Sequence, residues 1–470
     1  MKNTVSRGIL FYIFLLIAVV LGVLCVLGAI LIFSPGTEIF GISYYINTSA
    51  QRIETALNDS GNQQSIDSLF TSGQIDTINI TTNYANVSLE TRQDGAVQFI
   101  IEPSLTGLMT SENKDTYTYT SRYTASDNTL TVSLNAPNMF LAFNNNIDLV
   151  LSFPEDVTNT NLDINITTES GDITIGHHGL DVYTLDNLTV NVENSSNVTF
   201  GIHTVISDNV TLNVPSGNIR FRRAITTGNL TINSESTKIE TGNINANEFT
   251  LYTQSSSINL GNITVESNFN YRARRGVLVV DNINGDFNCD EDVVIANITV
   301  GTINGDVLLP QAESSDITIK TLNGRGDITT TSGDVTIDKA TSFLWVSTES
   351  GKIDVNIDTA SDLNTQSYAE DQGIVNLKSN NGTINVNFAN LLLKNYISSQ
   401  RGTINCKFSP ALNFILNYTC PENAPSLSDG ITTGEVANEA SIAIGNSNTD
   451  KAIYLENLEG RTSIEDTYAA

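Results

Sequence analysis

"NGRGDITTTSGDVTID" runs from Asn323 to Asp338 and decides how the rest of the chain reads. Taken alone, Arg325-Gly326-Asp327 is the tripeptide that animal cell-adhesion receptors read. Taken with its surroundings it is one copy of a phrase: Gly, polar, apolar, polar, apolar. The phrase recurs as "SGDITI" (170–175), "SGNIRF" (216–221), "TGNLTI" (227–232), "LGNITV" (260–265), "NGDFNC" (284–289) and "NGDVLL" (304–309). It continues in "SGDVTI" (332–337), "SGKIDV" (350–355), "NGTINV" (381–386) and "RGTINC" (401–406). Glycine suits a turn, and Asp or Asn after it favours that turn. The following alternation has period two, as in a half-buried strand. The pairs Ile173/Ile175, Ile263/Val265, Phe287/Cys289, Val307/Leu309 and Ile384/Val386 are therefore expected to face a core.

A subset of the glycines falls at 217, 242, 261, 285, 305, 326, 351 and 373, a period near twenty that tolerates insertions. Such a period marks a solenoid. The expected fold is all-β: a stacked β-solenoid with coils of about 20 residues, three short strands to a coil, behind one transmembrane helix. Stacked coils pair edge to edge at about 4.8 Å per coil.

The N-terminus supplies the helix. "GILFYIFLLIAVVLGVLCVLGAILIF" (8–33) carries no charge. At ~1.5 Å per residue it is about 39 Å long, enough for a ~30 Å hydrocarbon layer. The run is longer than a signal peptide's apolar region and lacks a small-residue exit, so an uncleaved anchor is expected. Lys2 and Arg7 precede it, which places residues 1–7 in the cytoplasm and the bulk outside. The chain's formal charge is −28, and all its acids follow Ser34. So acidic a body repels nucleic acid.

The organisation expected is a tail (1–7), an anchor (8–33), a juxtamembrane linker with a short helix (34–70), an N-terminal β region (71–160), solenoid repeats (161–406) and a C-terminal cap and tail (407–470). The helical stretch is read at 48–59, capped by Thr48 or Ser49. A hairpin is expected across Ser126-Asp127-Asn128, and a strand ending at Pro154. Asn-x-Ser/Thr occurs repeatedly, for example at Asn79, Asn165, Asn209, Asn229 and Asn262. These fit glycosylation acceptors, but equally a repeat that places Asn in polar ladders and Thr in strands.

The order of strands, hairpin, "LVLSFPEDV" (149–157) and "ITTESGDITI" (166–175) resembles the bacterial DUF4097 family of adhesin-like proteins, over about Ile75 to Cys406. The resemblance implies a β-solenoid with an extracytoplasmic, non-enzymatic surface or envelope-stress role, and it carries no catalytic residues. The many Asn and Thr and the long C-terminal tail depart from it.

Site candidates are few. Asp286, Asn288, Asp290 and Asp292 alternate, so on a strand their oxygens share a face, as a Ca²⁺ site needs. The alternative is a solvated acidic turn, with no cofactor. Arg220, Arg222 and Arg223, with Arg272, Arg274 and Arg275, either hold a polyanion or pair with acids on neighbouring coils. His177, His178 and His203 lack the spacing of a zinc site. Cys289 and Cys406 should both point inward but lie nearly six coils apart, too far for a disulfide. Cys406–Cys420 is the one feasible bridge outside the membrane. The function expected is a membrane-anchored, non-catalytic surface module, with a surface polymer, glycan or protein as partner. The alternatives are an envelope-stress accessory protein and a carbohydrate-active β-helix enzyme.

Overall fold

The computed structural model describes the chain except residues 1, 34–37, 93–95, 111, 114–116, 138, 140, 155–161, 177–182, 202–203, 290–294, 360–373, 392, 421–424, 429–430, 432–440, 446–448, 450 and 467–470. Strands dominate. The two helices among the described residues are Lys2–Phe33 and Ile66–Thr71. The first contains one segment, Tyr12–Ile30, apolar enough to cross a bilayer, with mean hydropathy 3.2 and none of it buried. Contacts divide the chain into two compact units, Met1–Asp181 with 191–193, and Val182–Val190 with Asn194–Ala470.

In the first unit, Thr77–Thr82 lies between two parallel partners, Thr129–Asn135 and Asp163–Thr168. Asn86–Arg92 likewise lies between Leu141–Pro154 and Ile173–Ile175. One exposed edge is closed by antiparallel strands: Thr118–Thr124 on 129–135, and Gln98–Thr110 on 141–154. Antiparallel closure satisfies N–H and C=O groups that an open edge would leave free for other chains. The hairpin turns at Asn128, whose φ of 53° is the left-handed value Asn tolerates. The strand Leu141–Pro154 ends at its proline, as expected.

The helix expected at 48–59 is absent. Gln51–Ile53 and Thr55–Leu57 are strands, and Gln51–Ile53 pairs with Phe99–Ile101. Ile53 and Ala56 are buried three residues apart, a spacing that helix and kinked strand share. Cross-strand pairing outweighs the weak local preference. The helix forms instead at Ile66–Thr71, where Ser65 Oγ accepts the Ser68 N–H at 3.3 Å.

The second unit is a stack of parallel coils. Ser195–Phe200, Thr204–Phe221, Ile225–Thr241 and the segment from Ile244 pair in order. From Ile295 each coil carries two strands, not the three expected. One column runs Val307–Ala312, Gly326–Thr330, Leu344–Thr348, Val375–Ser379 and Lys394–Ser399. The other runs Ile295–Ile303, Ile317–Leu322, Val335–Ala340, Ile353–Asp358, Ile384–Asn390 and Ile404–Phe408. Ile303 and Leu322, paired in register at the ends of their strands, are buried as further inward residues. The inward pairs read from the sequence are all buried. Phe249, Phe269 and Phe287 stack along the core with centroids 4.7 and 5.2 Å apart.

The glycines form more than one column. Gly305 sits on Gly285, and Gly324 on Gly305. At another corner Gly351 sits on Gly333, then Gly382, Gly402 and Gly460 follow. Gly324 and Gly333, not Gly326, are thus the turn glycines of the opening stretch. Gly326 is buried at an inward strand position, between Val307 and Leu344. The near-twenty period survived the mixing of columns because ladder partners lie 18 to 22 residues apart throughout the compact coils. A Cβ on Gly402 would stand 1.8 Å from the Gly382 carbonyl oxygen. Gly402→Ala is expected to cost about 1–3 kcal/mol by overpacking, read as a lower urea midpoint.

The last coil is out of sequence. Ala452–Asn457 pairs with Lys394–Ser399 on one side and with Ile415–Thr419 on the other. Thr462–Asp466 likewise lies between Ile404–Phe408 and Ser426–Leu427. After Phe408 the chain therefore skips a layer, which its own C-terminus fills. Ser441–Ile444 then closes the edge by pairing antiparallel to Phe414–Asn417.

Candidate functional site

The outward positions of the coils form ladders, and most motif residues are spent on them. Asp286 Oδ1 accepts the Asp306 N–H at 2.8 Å, and Asp306 Oδ1 accepts the Arg325 N–H at 2.8 Å. At the other corner Asp316 accepts from Asp334 N–H (2.9 Å), and Asp334 from Lys352 N–H (2.7 Å). Asp286, Asp306 and Asp334 of the Gly-Asp turns, and Asp316 after Ser315, thus each cap a backbone N–H of the next turn. Asn side chains chain together in the same way: Asn229 to Asn209 to Asn187, Asn282 to Asn262 to Asn243, and Asn323 to Asn304. In the first unit Asn165 Nδ2 donates to Asn79 Oδ1 at 2.9 Å. The amide nitrogens of Asn165, Asn209, Asn229 and Asn262 therefore donate within ladders.

A second device escaped the sequence reading. An inward hydroxyl three residues before a stacked glycine accepts that glycine's N–H: Thr348 to Gly351 (2.9 Å), Ser379 to Gly382 (2.8 Å) and Ser399 to Gly402 (2.9 Å). Asn457 Oδ1 does the same for Gly460 at 3.0 Å. Thr330, which breaks the apolar alternation of the opening stretch, stands at the same spacing with the opposite sense: its hydroxyl donates to the Gly333 carbonyl at 3.0 Å. The legible signal was Ser/Thr-x-x-Gly. It looked like a defect of the strand because a buried hydroxyl is costly unless a partner is in reach.

Of the Ca²⁺ candidates, Asp286 uses one oxygen in its ladder and Asn288 is half-buried on the strand. Asp290 and Asp292 lie outside the described residues, as do His177, His178 and His203. Among the described residues no group of three or more His, Cys, Asp or Glu is placed to hold a metal ion.

The two arginine knots occupy different corners. Arg220 approaches Glu240 at 4.0 Å, and Arg272 lies over the Tyr252 ring at 4.8 Å from its centroid. Lys238, beside Glu240, hydrogen-bonds it and holds its carboxyl below the usual range, with Arg220 adding to the effect. Arg222, Arg223, Arg274 and Arg275 are exposed.

The Arg-Gly-Asp is self-contained. Arg325 pairs with Asp327 at 3.3 Å and lies over Trp345, 4.0 Å from the ring centroid. Both side chains are about two-thirds buried. A guanidinium already paired and stacked is not offered to a receptor carboxylate. Asp327→Glu is expected to leave attachment of intact cells to any surface unchanged, as counted under flow.

Cys406 and Cys420 are free thiols, so the expected bridge is not formed. Cys406 is buried in register with Val386 and Ile464, and burial pushes its thiol up to about 12. Cys420 lies against Thr462, Sγ 3.9 Å from Oγ1, and burial raises its pKa too. The interposed strand Thr462–Asp466 separates the strand of Cys406 from the outermost layer. Cys289 is a buried thiol, as expected.

One outward column differs from the Asn and Asp ladders. It runs Leu308, Asp327, Trp345, Asn376, Tyr396 and Tyr454 in neighbouring strands. Tyr396 and Tyr454 stack at 4.8 Å and 16°.

These coils, with their Gly-Asp turns, match the family model for Toastrack DUF4097 over residues 75–327. The chain belongs to the DUF4097 family. The match ends near the opening stretch, short of the resemblance drawn to Cys406. No curated protein matches the sequence significantly. Solved structures similar to this DUF4097 chain include a candidate cell adhesion protein from Clostridium sporogenes, at 7% identity over 90% of this chain and 100% of that one, TM-score 0.15. A candidate adhesin from Bacteroides fragilis shows 10% identity over 89% and 97%, TM-score 0.20. A candidate lipid binding protein from Parabacteroides distasonis shows 11% identity over 90% and 97%, TM-score 0.17. At these scores family membership rests on the sequence match, not on the superpositions.

Proposed function

We propose that this DUF4097 protein is a membrane-anchored, non-catalytic surface module that displays its coils outside the cell and attaches them to another surface. The observation that supports the reading is the outward column from Leu308 to Tyr454. It presents the rings of Trp345, Tyr396 and Tyr454 and the amide of Asn376 at about 4.8 Å steps along the stack, the Asp327 carboxylate being held by Arg325. Rigid, repeated, mixed polar and aromatic positions suit recognition of an extended polymer or a protein face. Motif residues elsewhere are consumed by ladders that hold the turns.

Orientation follows from Lys2 and Arg7 ahead of the helix. Added protease is expected to remove the coils from intact cells. Cleavage only after lysis would overturn the orientation. Attachment itself is tested with vesicles bearing the full chain, passed over arrayed glycans, cell-wall polymers and matrix proteins. Retention on one class, reduced at least about tenfold by Trp345→Ala with Tyr396→Ala, is the expected result. Retention that ignores both substitutions would remove this column from the reading.

A further inference from the structure

The first unit carries an apolar face at the end where the chain arrives from the helix Lys2–Phe33. Phe40 stands at the tip of the turn between Glu38–Ile39 and Ile42–Asn47, with φ 54° and 89% of its surface exposed. Ile46, Leu141 and Phe143 are 49, 47 and 54% exposed. They belong to one surface. Tyr44 pairs with Leu108, and Leu108 with Leu141, across three antiparallel strands. The ladder shifts between Ala142 and Asn144, and the Phe143 ring comes within 6.2 Å of Tyr44.

The face is graded. Further along the same strands the pairs become Thr106 with Asn144, Ser104 with Asn146, and Glu102 with Asp148. Apolar residues thus gather at one end and carboxylates at the other. The apolar end is where Ile42 meets Thr110, next to the turn that holds Phe40. Phe40 follows Phe33, the last residue of the helix, by seven positions. Seven residues span at most about 25 Å, so the turn cannot leave the neighbourhood of the helix end. Large apolar side chains left exposed beside an anchor mark a surface made to be covered.

We infer that this face docks into the headgroup–acyl boundary of the bilayer, with Phe40 deepest and Leu141 and Phe143 beside it. This rests on the helix being the membrane anchor. Aromatic side chains favour that boundary, and Phe40, Leu141 and Phe143 carry no charge, so the exposed Glu38 is the one acid of the Phe40 turn to meet the repulsion of anionic lipid. A second contact beside a single helix fixes the tilt of the unit it carries.

The test uses the full chain in phosphatidylcholine vesicles, with Trp345→Phe removing the single tryptophan. Tryptophan is then placed by Phe40→Trp, by Phe143→Trp, or at an exposed position of the second unit by Leu308→Trp. Side chains at the boundary sit about 5–10 Å into the lipid, within reach of bromine on the acyl chains. The Phe40 and Phe143 variants are expected to lose about half their emission in brominated lipid, and the Leu308 variant almost none. Vesicles that float with protein but quench all three alike would overturn the docking while sparing the anchor. Protein that fails to float would overturn both. Quenching absent in both face variants, with crosslinking between copies through Phe143→Cys, would assign the face to a second copy instead.

Discussion

Deleting residues 447–470 is expected to unfold the C-terminal end of the stack. The deletion removes a layer from the middle of a pile, not a tail from its end. Ile453, Leu455 and Ile464 are at most 2% exposed, and burying each contributes about 1.5–3 kcal/mol. Their loss alone is on the order of 5–9 kcal/mol, an upper estimate because unfolded chains already hide some apolar surface. The parallel ladders on both sides go with them. Lys394–Ser399 and Ile404–Phe408 are left as an open edge, and Phe414–Thr419 keeps only its antiparallel partner. The salt bridges Arg401–Glu459 and Lys407–Glu465 are also lost, but both are exposed and contribute little. Limited proteolysis should then cut the chain beyond Phe408, and the cap should melt before the coils upstream. An unchanged digestion pattern and melting profile would mean that the interposed layer does not hold the end together.

The second large effect is expected from Ile263→Asp. Ile263 is fully buried, one inward position after the stacked Gly261. A carboxylate there has no partner within a core lined by Leu, Ile and Phe. The expected cost is on the order of 3 kcal/mol or more. Thr264, one residue on, faces solvent, and Thr264→Asp should cost about 0–1 kcal/mol. Denaturant midpoints of the two variants separate cleanly under this register. Equal midpoints would require the strand to sit one residue out of phase, which would turn every inward side chain outward.

Much of this fold was legible because strand periodicity is local. The alternation in "NITV" or "DVTI" fixes which side chains face in, whatever the neighbouring coil does, and Ile263 and Val335 are buried as that alternation requires. The Asn and Thr abundance was legible as ladders for the same reason: a repeat places like residues at like positions. The candidate site was less legible. Asp286 looked like half a cation site because the sequence shows its spacing but not the Asp306 N–H that it accepts. Arg325-Gly326-Asp327 looked like a turn because glycine followed by Asp is a turn elsewhere in the chain. Only stacking shows that Gly324 lies over Gly305, while Gly326 sits inside, between Val307 and Leu344.

The sequence by itself determined the class of architecture: an apolar N-terminal helix, strands of period two, and coils near twenty residues that must stack to bury their inward faces. Those are properties of residue spacing, and spacing is written in one dimension. The tertiary structure alone decided which coil lies on which. Nothing in "KAIYLENLEG" says that it belongs between Lys394–Ser399 and Phe414–Thr419 rather than after them, because its pattern of inward residues fits any layer of the stack. The choice is made by what the skipped layer leaves unpaired on both sides. The same choice put Thr462–Asp466 between Cys406 and the outer layer and so kept Cys406 and Cys420 apart.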